Sequence, residues 1–118
     1  MNQVNLVGNI KGRVATGTHA EYGQWAIFTL DISEKVVDTW YHQYIPCIAS
    51  KKVAETISMA EEGDKVIIAG KIKSKEKDGV TKINVDVKEF AILEKAKPVE
   101  VEEDKDVKDL LGDIDPEV

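Results

Sequence analysis

A single cysteine, two histidines and three prolines are all that 118 residues hold of these types. One cysteine, Cys47, excludes an internal disulfide and suits a reducing compartment, so a cytoplasmic location is expected. His19 and His42, with that one thiol, are too few for a structural zinc site of the Cys/His kind. Neither a Gly-x-x-x-x-Gly-Lys-Ser/Thr phosphate loop nor a His-Glu-x-x-His pair occurs. The expectation is therefore no enzyme, no cofactor and no metal. His42, within a predicted strand, reads as a surface or interface residue rather than a base. No apolar run approaches the roughly 20 residues that span a bilayer. Met1 leads straight into Val4, Leu6 and Val7 without a basic segment, so neither a membrane partner nor a secretory signal is expected.

What is present is charge, unevenly spread. The net charge is -6. Residues 1–97 carry 14 Lys/Arg against 13 Asp/Glu, whereas residues 98–118 carry 2 Lys against 9 Asp/Glu. The acidity belongs to the C-terminal segment, and the body is near neutral. This asymmetry points to a nucleic-acid or tail-mediated partner. The two parts are read as a folded domain, 1–97, and a disordered acidic tail, 98–118, which has too little apolar surface to offset ordering entropy.

Within the domain the hydrophobic period is mostly two. Residues 2–14 read as a strand with Val4, Leu6, Gly8 and Ile10 on one face, followed by a turn marked by Gly12, Thr16, Gly17 and Thr18. Residues 24–33 and 39–49 read as strands two and three, and Pro46 places part of the third at an edge or bulge. Ser50 is an N-cap candidate for a helix over 51–61, with Val53, Ala54, Ile57 and Ala60 on one face and Gly63 beyond its end. Strands over 65–75 and 80–92 follow, joined through Lys77-Asp78-Gly79, a hairpin signal. Five short strands with one helix between the third and fourth give a mainly β chain, the order of an OB-fold barrel with the helix plugging one end.

Barrel strands alternate inside and outside. On strand four, Val66, Ile68, Gly70 and Ile72 take the inside, leaving Lys71, Lys73 and Lys75 as an outer basic stripe. On strand three, Ile45, Cys47 and Ala49 fit the inside, and Trp40, His42, Tyr44, Pro46 and Ile48 the outside. Phe28 and Phe90 read as core, Trp25 as outward. Lys11 and Arg13 lie on the polar face of strand one. Outward rings beside outward cations suit an unpaired nucleic-acid strand: cations follow phosphates, rings stack on bases. The competing readings are a solvated lysine face that discourages aggregation, and tryptophans that cover the core or form a subunit interface.

Taken together, Val4-Asn5-Leu6-Val7-Gly8-Asn9-Ile10, Phe28-Thr29-Leu30-Asp31-Ile32, the spacing from Trp40 to Gly63 and Gly70-Lys71-Ile72-Lys73 resemble the bacterial and phage single-stranded-DNA-binding protein family across about residues 2–93. The resemblance implies an OB barrel that binds single-stranded DNA on its outer wall in replication, recombination or repair. It implies a homo-oligomer, a tetramer first, and an acidic tail that recruits replication and recombination proteins. The family's third-strand stacking tryptophan falls at Tyr44, and its fourth-strand basic positions fall at Lys71 and Lys73. Joined to the outward rings and cations read from alternation, this gives the expected strand-binding set Tyr44, Trp25, Trp40, Lys11, Arg13, Lys71, Lys73 and Lys75. The partner-binding tail set is Leu110, Leu111, Asp113, Ile114 and Asp115. Ser50 and Lys77 stand where the family often has stacking aromatics, and Asp113-Ile114-Asp115-Pro116-Glu117-Val118 lacks the family's final aromatic. The short chain and tail look more like a phage-borne member, for which the compartment is the host cytoplasm. Two alternatives remain at this point: an RNA-binding OB domain, and a protein-interaction barrel without nucleic acid.

Overall fold

The computed structural model describes residues 1–96. The tail residues Leu110, Leu111, Asp113, Ile114 and Asp115 lie outside the described residues, as does the whole of the segment 98–118 assigned to the tail. The elements are β1 (Val4–His19), β2 (Gly23–Val36), β3 (Thr39–Ser50), α1 (Lys51–Ile57), β4 (Lys65–Lys77) and β5 (Val80–Glu94). They close into a barrel in the order β1-β2-β3-β5-β4. The OB-type architecture expected from the element order is the one observed.

Closure follows from β1 pairing twice. Its first half pairs antiparallel with β4, from Val4 opposite Gly70 to Asn9 opposite Lys65. From Asn9 onward it pairs with β2. The last link is short and parallel: Cys47 opposite Val85 and Ile48 opposite Asp86. Pro46 precedes this link, where the β5 side of β3 asks for no ladder donor, as the sequence led one to expect. The directions put the β2–β3 and β4–β5 hairpins at one end of the barrel, and α1 with the β1–β2 turn at the other. Beyond the two-residue link no ladder joins the N-terminal halves of β3 and β5, which continue in the β2–β3 and β4–β5 arms.

The core holds Ile10, Phe28, Leu30, Cys47, Val66, Ile68, Val85 and Val87, closed from below by Ala54, Ile57 and Ala60. Phe90 packs at the margin, edge-on to Phe28 at 6.0 Å between centroids. Phe90 and Ile92 reach the same side as Val85 and Val87 because β5 bulges: Ala69 faces Glu89 while Gly70 faces Val87, so Lys88 is the extra residue and inverts the alternation. Burial deprives the Cys47 thiolate of solvation and pushes its pKa up to about 12, leaving an inert packing residue.

Four expectations are corrected. The turn assigned to Gly12–Thr18 is strand: β1 continues to His19 through a bulge between Lys11 and Ala15, and Gly12, at φ +77°, absorbs the kink. Ile72 is outside the core, 45% exposed, because β4 has left the barrel wall for the arm by that point. The helix stops at Ile57, not at 61, with Met59 and Ala60 held by turn hydrogen bonds to Thr56 and Ile57. Ser50 stands at the N-cap with extended backbone, but its side chain makes no cap hydrogen bond. The β4–β5 turn behaves as its Asp-Gly signal requires: Asp78 and Gly79 both have positive φ, the two-residue turn that matches strand twist.

Candidate nucleic-acid interface

The antiparallel β2–β3 pair sets out a ladder of outward residues. Its rungs are Trp25 with Ser50, Ile27 with Ile48, Thr29 with Pro46, Asp31 with Tyr44, Ser33 with His42, and Lys35 with Trp40. On β1, Lys11 stands beside Thr29 and Asn9 beside Asp31. Alternation therefore brings residues from three strands onto one wall.

Tyr44 is the centre of this wall and is 51% exposed. The ammonium of Lys11 lies 5.0 Å from its ring centroid. The His42 ring lies parallel to it, 9° between planes and 5.8 Å between centroids. Asp31 holds His42, with its two carboxylate oxygens 3.0 and 3.1 Å from Nδ1. The Ser33 hydroxyl is 3.4 Å from the same carboxylate. Further along the arm Trp40 is 58% exposed, with the Lys35 ammonium 6.0 Å from its ring. Exposed aromatic faces next to mobile cations can offer stacking and phosphate contacts at the same place.

The second basic surface lies on the β4–β5 arm. Lys71, Lys73 and Lys75 alternate on the outer face of β4, opposite Asp86, Asn84 and Lys82 of β5. They are not equivalent. Lys73 lies 3.3 Å from Asp86, whose other cationic neighbour is Lys88 at 3.0 Å. Burial raises the cost of ionising Asp86, but these two ammonium groups outweigh it and hold its carboxyl below the usual range. Lys71 and Lys75 have no such partner among the described residues. Gly70 marks where β4 meets β5 most closely: a Cβ there would run into the Asp86 carbonyl. That contact keeps the base of the lysine stripe tight against β5.

Of the eight residues expected to bind a strand, six fall on one of two outer faces: Tyr44, Trp40 and Lys11 on the three-stranded wall, Lys71, Lys73 and Lys75 on the β4–β5 arm. Two do not. Trp25 is half-buried, its ring lying across Gly17 on β1, where a Cβ would overlap the indole. It is six residues from Asp31 along β2, about 20 Å at strand rise. Arg13 sits in the β1 bulge, lining a shallow cleft with Glu61 and Glu62 near the helix end. Sequence reasoning did not assign His42 to the site. Its spacing of two from Tyr44 was the signal, since residues i and i+2 share a face. Tyr22, exposed beside His19 at the β1–β2 turn, is at the other end of the barrel.

The chain is similar to a small single-stranded DNA-binding protein from Streptomyces coelicolor, with a TM-score of 0.63 and 19% sequence identity, over 76% of this chain and 90% of that one. The shared feature is the fold. No family model matches the sequence, and no curated protein matches it. Among the described residues, no helix is long and apolar enough to cross a membrane.

Proposed function

We propose that this protein binds single-stranded DNA with little sequence preference, on the outer wall of β1, β2 and β3 and on the lysine face of the β4–β5 arm. The carrying observation is Tyr44, an exposed ring with the Lys11 ammonium and the parallel His42 ring beside it and Trp40 further along the same arm. Bases can stack there only when unpaired, so such a platform selects single strands, and the lysines supply sequence-independent affinity. Replication, recombination or repair is the setting in which such a protein acts, in the cytoplasm of a bacterium or of a phage-infected host.

Self-association lengthens a site that one OB domain limits to about 4–16 nucleotides. We assign that role to the outer row of Val7, Ile67 and Ala91 on β1, β4 and β5, with a tetramer as the expected assembly. The acidic segment 98–118 is assigned two roles, competing with DNA for the lysines and docking replication or recombination proteins. Its deletion should tighten DNA binding at low salt; unchanged affinity would remove the first role.

The decisive experiment is a titration of tryptophan fluorescence with a long oligo(dT), with the matching duplex and with oligo(U). Strong quenching by oligo(dT), little by duplex and partial reversal by salt is the expected result. Preference for oligo(U) would move the assignment to RNA. No response to any strand, with unchanged anisotropy of a labelled oligonucleotide, would leave the wall as a protein-docking surface.

A further inference from the structure

Nothing in an aromatic platform requires a titratable ring, yet one is built into this one. His42 is 41% exposed and held from one side only. Asp31 on β2 takes its Nδ1, supported by Ser33. A carboxylate at that distance accepts a hydrogen bond from Nδ1–H, which fixes the neutral tautomer and leaves Nε2 as the bare nitrogen. The other charged groups around the ring are cations: Lys11 across the Tyr44 ring on β1, and Lys35 one rung further along β2. Glu34 falls on the opposite face of β2, opposite Tyr41.

We propose that His42 is a proton-linked contact for the DNA backbone, so that strand binding takes up one proton at this ring. This rests on the single-strand reading above. In the neutral ring Nε2 offers a lone pair, which a phosphate oxygen cannot use. Once protonated, Nε2 becomes a charged donor, and Asp31 stabilises the imidazolium through Nδ1. The cation then faces the neighbouring Tyr44 ring, where it reinforces the platform. Linkage gives the sign. A phosphate beside Nε2 favours the protonated ring in the complex, so affinity rises as pH falls. Each unit by which the midpoint rises on binding corresponds to about tenfold in affinity between the plateaus.

The test is anisotropy of labelled oligo(dT) with the full chain from pH 8.5 to 5.5 at constant ionic strength. It is paired with NMR titration of the imidazole carbon-bound protons, free and saturated with oligo(dT). The expected result is about five- to tenfold tighter binding at the acid end. The His42 midpoint should lie higher in the complex than in the free protein. His42→Gln should flatten the profile. Asp31→Asn, which removes the carboxylate that supports the imidazolium, should shift it to lower pH. His19→Gln should leave the profile in place and assign the second imidazole. An unchanged His42 midpoint on binding, or a His42→Gln variant that keeps the full profile, would overturn the proposal while leaving DNA binding intact. Absence of oligo(dT) binding at every pH would overturn the single-strand reading, and this inference with it.

Discussion

The ammonium of Lys95 lies 2.8 Å from a carboxylate oxygen of Asp64, a side chain with no exposed surface, and so ties the end of β5 to the start of β4. Two backbone N–H groups complete the site: Ala96 donates to Oδ1 at 2.8 Å and Glu61 to Oδ2 at 2.9 Å. Burial opposes ionisation of Asp64, but Lys95 and the two N–H donors outweigh it and hold the carboxyl below its usual 3.8. A depressed carboxyl contributes stability above the unfolded value, which is lost as pH falls through the folded one. Asp64→Asn, which leaves an N–H unpaired, should cost about 1–3 kcal/mol near neutrality. Thermal melts from pH 7 to pH 2 should show the gap from the parent closing below about pH 4. A gap independent of pH would mean that the charge of Asp64 plays no part.

Tyr44→Ala should weaken oligo(dT) binding by about 1–3 kcal/mol, the range for loss of one stacked base. Trp40→Ala should show a smaller loss in the same direction, being further out on the arm. Trp25→Ala should instead lower the melting temperature, because the indole covers Gly17, with little change in affinity. Anisotropy and melting curves on the three variants separate these roles; a loss of affinity confined to Trp25→Ala would move the platform to the other end of the barrel.

The lysines of the β4–β5 arm should differ in a salt titration. Each phosphate contact adds about 0.7 to the slope of log affinity against log salt for a single strand. Lys71→Gln and Lys75→Gln should each reduce the slope. Lys73→Gln should reduce it less, because Asp86 already engages that ammonium. Equal slopes for all three variants would show that the ion pair opens at no cost when DNA arrives.

The β2–β3 turn carries a β-branched residue where the backbone favours glycine. Val37 has φ +58° and is 85% exposed, so nothing packs on it in return. Such a conformation costs on the order of 1–3 kcal/mol. Val37→Asn should raise the melting temperature by several degrees, at about 4–8 °C per kcal/mol for a domain of this size. A lower melting temperature would mean that the valine makes a contact in an assembly.

The strand order, the barrel and most of its interior could be read from sequence because alternation is a local property: Val66, Ile68 and Gly70 declare the inside of β4 without reference to any neighbour. The errors came where the answer depends on partners distant in the chain. Gly12 has the composition of a turn, but a strand that must serve both β4 and β2 uses it to bend. The actual turn, Ala20-Glu21-Tyr22, lacks turn residues; the His19 ring closes it by accepting the N–H groups of Glu21 and Tyr22. Ile72 has the right parity for the core, but parity cannot say where a wall ends. The outward set on β3 was legible for the same reason as the core, whereas the division between Tyr44 and Trp25 depends on the register between strands. Asp64 looks like any surface carboxylate until β5 brings Lys95 to it.

Because β1 pairs with two neighbours, the body of the barrel leaves no free strand among the described residues. The open ladder edges gather instead on the two arms, along β3 before Cys47 and β2 after Asp31 on one, and along β5 before Val85 and β4 after Gly70 on the other. Those are the edges onto which a foreign strand can add, and lysine is the residue that most discourages such addition. Lys71, Lys73 and Lys75 on β4 and Lys82 on β5 thus stand guard over the open edges of the β4–β5 arm. Neutralising them for the sake of a binding assay should lower the concentration at which the protein stays dispersed, and covering the arms with a polyanion should raise it.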